Sequence, residues 1–121
     1  MVSILVVEDE HNIQLLLNHI LRGMGHKVKV VSNGVEALAA LKHDAPDIVL
    51  TDLKMPRMTG LELITIIRRD FPNMPIIAVS AHNDSAQLAL RLHKVYQLPK
   101  PFTKQQLATI LNTVINSAQT H

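Results

Sequence analysis

Five residues with reactive or charged side chains stand at or just beyond the ends of short apolar runs. Glu8 and Asp9 follow Ile4–Val7, and Asp52 follows Ile48-Val49-Leu50 within the run Asp47–Thr51. Ser80 follows Pro75–Val79, and Lys100 lies just past Val95–Leu98. If the fold gathers them, three carboxylates crowd together and repel. A hard divalent ion such as Mg2+, which takes oxygen ligands, resolves that repulsion. A carboxylate is also a nucleophile toward phosphorus and gives an aspartyl phosphate. Such a transfer needs in-line positioning and positive charge around the moving oxygens. Mg2+ and the Lys100 ammonium supply the charge, and the Ser80 hydroxyl supplies a hydrogen bond. Asp52 is the best nucleophile, because the turn Leu53-Lys54-Met55-Pro56 exposes it beyond the end of a strand. Glu8 and Asp9, side by side, suit a metal. Each residue also has a plainer role. Asp9 could cap a helix, Asp52 could bond its own turn, Ser80 could start a helix and Lys100 could be solvated. It is the convergence that favours chemistry.

Convergence requires a particular set of elements. Residues 11–24 place Ile13, Leu16, Leu17, Ile20, Leu21 and Met24 three and four apart, which predicts a helix with one apolar face, ended by Gly23 and Gly25. His26–Val31 alternates polar and apolar residues. Asn33–His43 predicts a second helix with Val35, Leu38 and Ala39 inward. Thr59–Asp70 predicts a third, with Thr59 and Glu62 spaced as a capping box. Asp84–His93 predicts a less regular fourth helix, and Thr103–Ser117 a fifth, with Leu107, Ile110, Leu111, Val114 and Ile115 on one side. Phe71-Pro72 and Met74-Pro75 punctuate the approach to the fourth strand. Five strands alternating with five helices predict an α/β fold, a doubly wound parallel sheet with helices on both faces. Strands one, three and four are apolar on both sides, as central strands are. Lys27 and Lys29 mark strand two as an edge. All strand C-termini then share one edge, where ligands bind at the reversal of strand order.

Composition narrows the function classes. With 47% hydrophobic and 18% charged residues, 121 residues form one globular domain, read here as 1–121. Twelve Lys and Arg against ten Asp and Glu leave too small a basic excess for direct nucleic-acid binding. The three aromatics, Phe71, Tyr96 and Phe102, are too few for a base-stacking platform. The absence of cysteine removes disulfides, thiol catalysis and Cys-ligated metals. The seven histidines lack metal-ligand spacing. The N-terminal run is too short for a signal peptide and no run reaches membrane length, so no membrane association and a cytoplasmic location are expected.

The motifs Val7-Glu8-Asp9-Glu10, Asp52-Leu53-Lys54-Met55-Pro56 with Gly60, Ser80-Ala81 and Lys100-Pro101-Phe102 occur in this order at matching intervals. Together the chain resembles the receiver domain of two-component response regulators, chemotaxis-regulator-like in extent. The resemblance implies a flavodoxin-like (βα)5 fold with strand order 2-1-3-4-5. It implies that Asp52 accepts a phosphoryl group from a sensor histidine kinase or phosphotransfer protein. It further implies that Asp9 binds Mg2+ directly, Glu8 through water and Lys54 through its carbonyl. Ser80 takes the place of the switch hydroxyl. Lys100 bridges the phosphoryl group and precedes a cis bond to Pro101. Lys54 and His82 border the phosphoryl group, where cationic side chains would alter its hydrolysis. Such a chain catalyses only its own phosphorylation and dephosphorylation, and signals by contact with an unknown output protein.

Two departures stand out. The family aromatic three residues before the lysine is Gln97 here, with Tyr96 one residue earlier. Either the strand slips to restore Tyr96, or the aromatic switch is missing. The fourth helix carries Ala86, Leu88, Ala89, Leu90 and Leu92 around most of its circumference. These are scattered exposed residues, or a partner or homodimer surface shared with the fifth helix. Rival functions fare worse. A flavin or nucleotide site would need a Gly-rich loop after the first strand, where Glu8-Asp9-Glu10 stands. An Asp-nucleophile phosphatase would need a second acid at Lys54. The alternatives that remain are a receiver fragment of a longer transcriptional regulator and a degenerate, phosphate-independent interaction module.

Overall fold

A computed structural model of the chain describes residues 2–55, 57–81 and 87–119. Five strands and five helices alternate: β1 Ser3–Val7, α1 His11–Gly23, β2 Lys27–Val31, α2 Gly34–His43 and β3 Ile48–Asp52. They continue with α3 Gly60–Asp70, β4 Ile76–Ala81, α4 Gln87–Leu92, β5 Tyr96–Lys100 and α5 Lys104–Gln119. The strands form one parallel sheet in the order β2-β1-β3-β4-β5. The expected doubly wound α/β architecture is therefore present, with β2 at an edge and its Lys27 and Lys29 exposed.

The sheet divides the core in two, because successive strand residues point to opposite faces. On one face Leu5, Val7, Val49, Ile76 and Ala78 pack with Leu41 of α2, Leu63, Ile64 and Ile67 of α3 and Leu90 of α4. On the other, Ile4, Val6, Ile48, Leu50, Ile77, Val79 and Leu98 pack with Leu17 and Leu21 of α1 and Leu107, Leu111 and Val114 of α5. Most of these side chains are almost fully enclosed. The three middle strands are covered on both faces, which explains their uninterrupted apolar runs.

Caps fix where several helices begin. The Asn33 side chain accepts from Glu36 N–H and opens α2. Thr59 and Glu62 form the expected capping box at α3. Thr103 and Gln106 form a similar reciprocal pair at α5, with bonds of 3.0 and 2.8 Å. Gly25, at φ +91°, makes the turn from α1 into β2.

Three expectations need revision. In α2 the buried residues are Gly34, Ala37, Ala40 and Leu41, whereas Val35 and Ala39 are exposed and Leu38 is half-buried. Apolar residues surround this short helix, so two stripes fit the period, and the Asn33 cap selects the other one. In α1 Leu16 is 54% exposed, as is Leu15, so the buried stripe is narrower than the apolar pattern. β5 runs through Pro99 to Lys100, two residues beyond the expected end, and starts one residue later. The fourth helix spans Gln87–Leu92 among the described residues, and the expected start at Asp84, with His82 and Ala86, lies outside them. Of its described side chains, Leu90 is buried and Leu92 is 74% exposed.

Candidate functional site

The site is built where β1, β3 and β5 end. Asp52 is the last residue of β3, opposite Val79 of β4. Beyond it the chain turns sharply. Leu53 N–H donates to the Val79 carbonyl at 3.3 Å, and Gly60 N–H to the Leu53 carbonyl at 2.8 Å. Gly60 is required there, since a Cβ would lie 2.2 Å from the Asp52 carbonyl oxygen and 2.5 Å from Leu53 Cα. The start of α3 is thus pressed against the backbone that carries Asp52.

Lys100 closes the other side. Its Nζ lies 3.2 Å from Asp52 Oδ2. The remaining Asp52 oxygen, Oδ1, accepts from Lys54 N–H at 3.3 Å. The plainer readings of Asp52 and Lys100 are therefore partly true and partly not. Asp52 bonds its own turn, and Lys100 is held by an ion pair rather than left in solvent. The Lys100–Pro101 bond is cis. Lys54 is exposed.

Glu8 and Asp9 complete the acidic group. One oxygen from each of Glu8, Asp9 and Asp52 can be chosen so that all lie within 4.8 Å of one another. Asp9 is exposed, so it reaches the site from solvent, and it makes no helix cap because Glu10 holds that position. Glu8 is enclosed, with 3% of its surface exposed. Its Oε2 accepts from Glu10 N–H at 3.2 Å. Burial pushes the Glu8 carboxyl up to about 7, with the Asp52 charge and the adjacent Asp9 adding to the rise. The Glu10 bond and Lys100 work in the opposite direction. This donor set fits a hard divalent cation, because oxygen ligands dominate and the buried acid lacks enough positive charge to ionise readily.

Ser80 sits near the end of β4, opposite Pro99 and one residue past the Val79 that faces Asp52. It is buried. Among the described residues its hydroxyl makes no hydrogen bond to Asp52. The structure thus joins Glu8, Asp9, Asp52 and Lys100 directly and leaves Ser80 adjacent on the same sheet edge.

The register of β5 decides between the two readings of its aromatic. Tyr96 pairs with Ile77 and packs in the cluster under α1 and α5. Gln97 pairs with Ala78, on the opposite face, three residues before Lys100. No slip restores the ring. A half-buried amide holds the position where the resemblance implies an aromatic.

Beside Asp52 and Lys100 lies a cavity of about 500 Å3 walled by Ile13, Leu16, Leu17 and Phe102. One further contributor to the site, Gln14, was absent from the sequence reading, and a second, Phe102, stood there only as part of a motif. Gln14 hydrogen-bonds the Glu8 carbonyl, and Phe102 lines the cavity. The position of Gln14 on the half-buried side of α1 was the available signal for the first.

The parallel α/β sheet thus carries an acidic group and a lysine at its carboxyl edge. Residues 4–112 match the response regulator receiver domain, and the chain belongs to that family. It is 35% identical over 116 residues to the DNA-binding transcriptional regulator NtrC of Salmonella typhimurium, covering 94% of this chain and 25% of the relative. It is 33% identical over 115 residues to the regulatory protein LuxO of Vibrio vulnificus, covering 93% and 25%. The chain spans about a quarter of the length of these relatives. The crystal structure of a response regulator receiver domain protein from Clostridium thermocellum superposes with a TM-score of 0.89, at 29% identity, over 98% of both chains. The chain is a receiver domain of the two-component type. Family members interact with histidine kinases or phosphotransfer proteins. Among the described residues no helix is long and apolar enough to cross a membrane.

Proposed function

We propose that the chain, residues 1–121, is one receiver that accepts a phosphoryl group on Asp52 from a histidine kinase or phosphotransfer protein. The observation that carries this reading is the meeting of Asp52, Glu8, Asp9 and Lys100 at one sheet edge. An Asp52 oxygen attacks the phosphorus of a phosphohistidine. A P–O bond forms as the P–N bond breaks, and the imidazole leaves with the electron pair and takes up a proton. Lys100 is already within 3.2 Å of Asp52 and offsets the charge that arrives with the phosphoryl oxygens. The Ser80 hydroxyl donates to one of those oxygens. Water later attacks phosphorus and returns the free carboxylate, so the chain catalyses only its own modification and its reversal.

Asp9, Asp52, Glu8 through water and the Lys54 carbonyl would hold Mg2+. Bound there, the ion supplies positive charge to the phosphoryl oxygens. The cavity walled by Ile13, Leu16 and Phe102 supports a protein phosphodonor, since it offers apolar surface beside the acceptor. The reading includes a cytoplasmic location, where ATP-fed phosphodonors work. Output passes to an unidentified protein, or to a second copy through α4 and α5, with Leu92 of α4 exposed. The relative NtrC, a DNA-binding transcriptional regulator of which the chain matches a quarter, supports the receiver of a longer transcriptional regulator as the other form of this reading.

The test is incubation with beryllofluoride or acetyl phosphate, with and without Mg2+, read by intact mass and 19F NMR. Modification requires Mg2+ and disappears in Asp52→Asn. Modification without a divalent ion overturns the metal role, and none under any condition favours the phosphate-independent module.

A further inference from the structure

Glu8 stands one residue beyond β1, where the parallel ladder stops supplying partners. Its N–H makes the last bond to β2, donating to the Val31 carbonyl at 3.0 Å. A buried carbonyl without a donor is costly, and beyond the ladder no strand offers one. The side chain of Gln14, in the second turn of α1, fills that place. Its Nε2 donates to the Glu8 carbonyl. The same nitrogen donates to Ser32 Oγ at 3.1 Å, so both amide hydrogens are engaged. The Gln14 N–H donates to the Glu10 carbonyl at 3.0 Å, so the residue grips both ends of Glu8-Asp9-Glu10.

The far end of this link is also fixed. Ser32 N–H donates to Glu36 Oε1 at 2.8 Å. Glu36 N–H donates to Asn33 Oδ1 at 2.9 Å, within the cap of α2. A single amide thus ties the acidic turn after β1 to the start of α2. Glu8 and Asp9 hang from that turn, and their distance to Asp52 depends on it.

We infer that Gln14 is a positioning residue for the carboxylate group, acting through the Glu8 backbone. The inference rests on the reading of Glu8, Asp9 and Asp52 as a divalent-cation site. Groups that orient ligands without touching the ion change its affinity about 10- to 100-fold when removed.

The test measures Mn2+ binding to the full chain by electron paramagnetic resonance of the free ion. Wild type is compared with Asp9→Asn, Gln14→Met and Gln14→Glu. Gln14→Met keeps the length and removes the donor. Gln14→Glu also removes the donor, and its added negative charge by itself attracts a cation. Asp9→Asn is expected to weaken binding, and both Gln14 variants to weaken it at least about 10-fold. Urea unfolding in EDTA separates this from stability. A Gln14→Met protein that unfolds more easily yet binds Mn2+ like wild type overturns the positioning role. Tighter binding in Gln14→Glu overturns it as well, and decides the matter if Gln14→Met does not fold. Unchanged binding in Asp9→Asn overturns the cation reading itself.

Discussion

At the scale of single residues, Asp52 is governed by two opposite neighbours, the buried acid Glu8 and the ammonium of Lys100. Lys100→Met removes the positive charge without a large change in volume. Loss of one such stabilising group costs about 100-fold in rate. Phosphorylation by acetyl phosphate, followed by mass at fixed Mg2+, should slow by about that factor, and an unchanged rate would exclude Lys100 from the transfer. Glu8 sets a pH dependence whose sign is fixed by its raised value. At about 7 in the folded chain against 4.5 in the open chain, Glu8 keeps its proton longer when folded. Folding is therefore favoured below 4.5, and that advantage is lost as pH rises toward and past 7. In EDTA, the Tm of wild type should fall relative to Glu8→Gln between pH 5 and pH 7.5, and Mg2+ should remove the difference at pH 7.5. Parallel pH curves for the two proteins would contradict the assignment. Asp52, Glu8, Asp9 and Lys100 were legible as residues at strand ends, because a parallel sheet puts all those ends together. Gln14 was not, because its partner is a backbone carbonyl, and sequence gives no sign of which carbonyls run out of strand neighbours. The burial of Glu8 was equally hidden, since its neighbour Asp9 is exposed.

At the scale of elements, the approach of α3 to the end of β3 is set by Gly60. Gly60→Ala puts a methyl into the Asp52–Leu53 backbone, which cannot yield as a side chain can. It should cost about 1–3 kcal/mol in urea unfolding and slow phosphorylation by displacing Asp52. Gly34→Ala meets only the Met58 side chain, with Sδ 2.6 Å from the added carbon. Met58 can rotate away, so this change should cost less. The reverse order would show that the α3 approach is not what fixes Asp52. Element types followed from apolar period and caps, as Thr59 with Glu62 illustrates. The inward face of α2 did not, because Val35, Leu38 and Ala39 repeat with the same spacing as Ala37, Ala40 and Leu41. Propensity cannot choose between two such stripes, and the cap and the neighbouring strands do. β5 was expected to end at Leu98, yet it runs through Pro99 to Lys100. An edge strand tolerates proline, since its outer side needs no donor.

For the molecule as a whole, one sheet separates two cores that share no side chains. Ile67→Ala below one face and Leu111→Ala below the other should each cost about 2–5 kcal/mol. Their costs should add to within about 0.5 kcal/mol in the double variant, as they do for sites without shared partners. A larger deviation in urea unfolding would show that the faces communicate through the sheet. The order β2-β1-β3-β4-β5 also bears on how the protein is made. Residues 3–52 supply three adjoining strands, and β4 and β5 then dock on one side in the order in which they are synthesised. By the end of β3 all three carboxylates have been synthesised, and Lys100 follows only with β5. The ammonium that faces Asp52 therefore arrives with the last strand of this sheet to be made, and its ion pair forms only once β5 has docked.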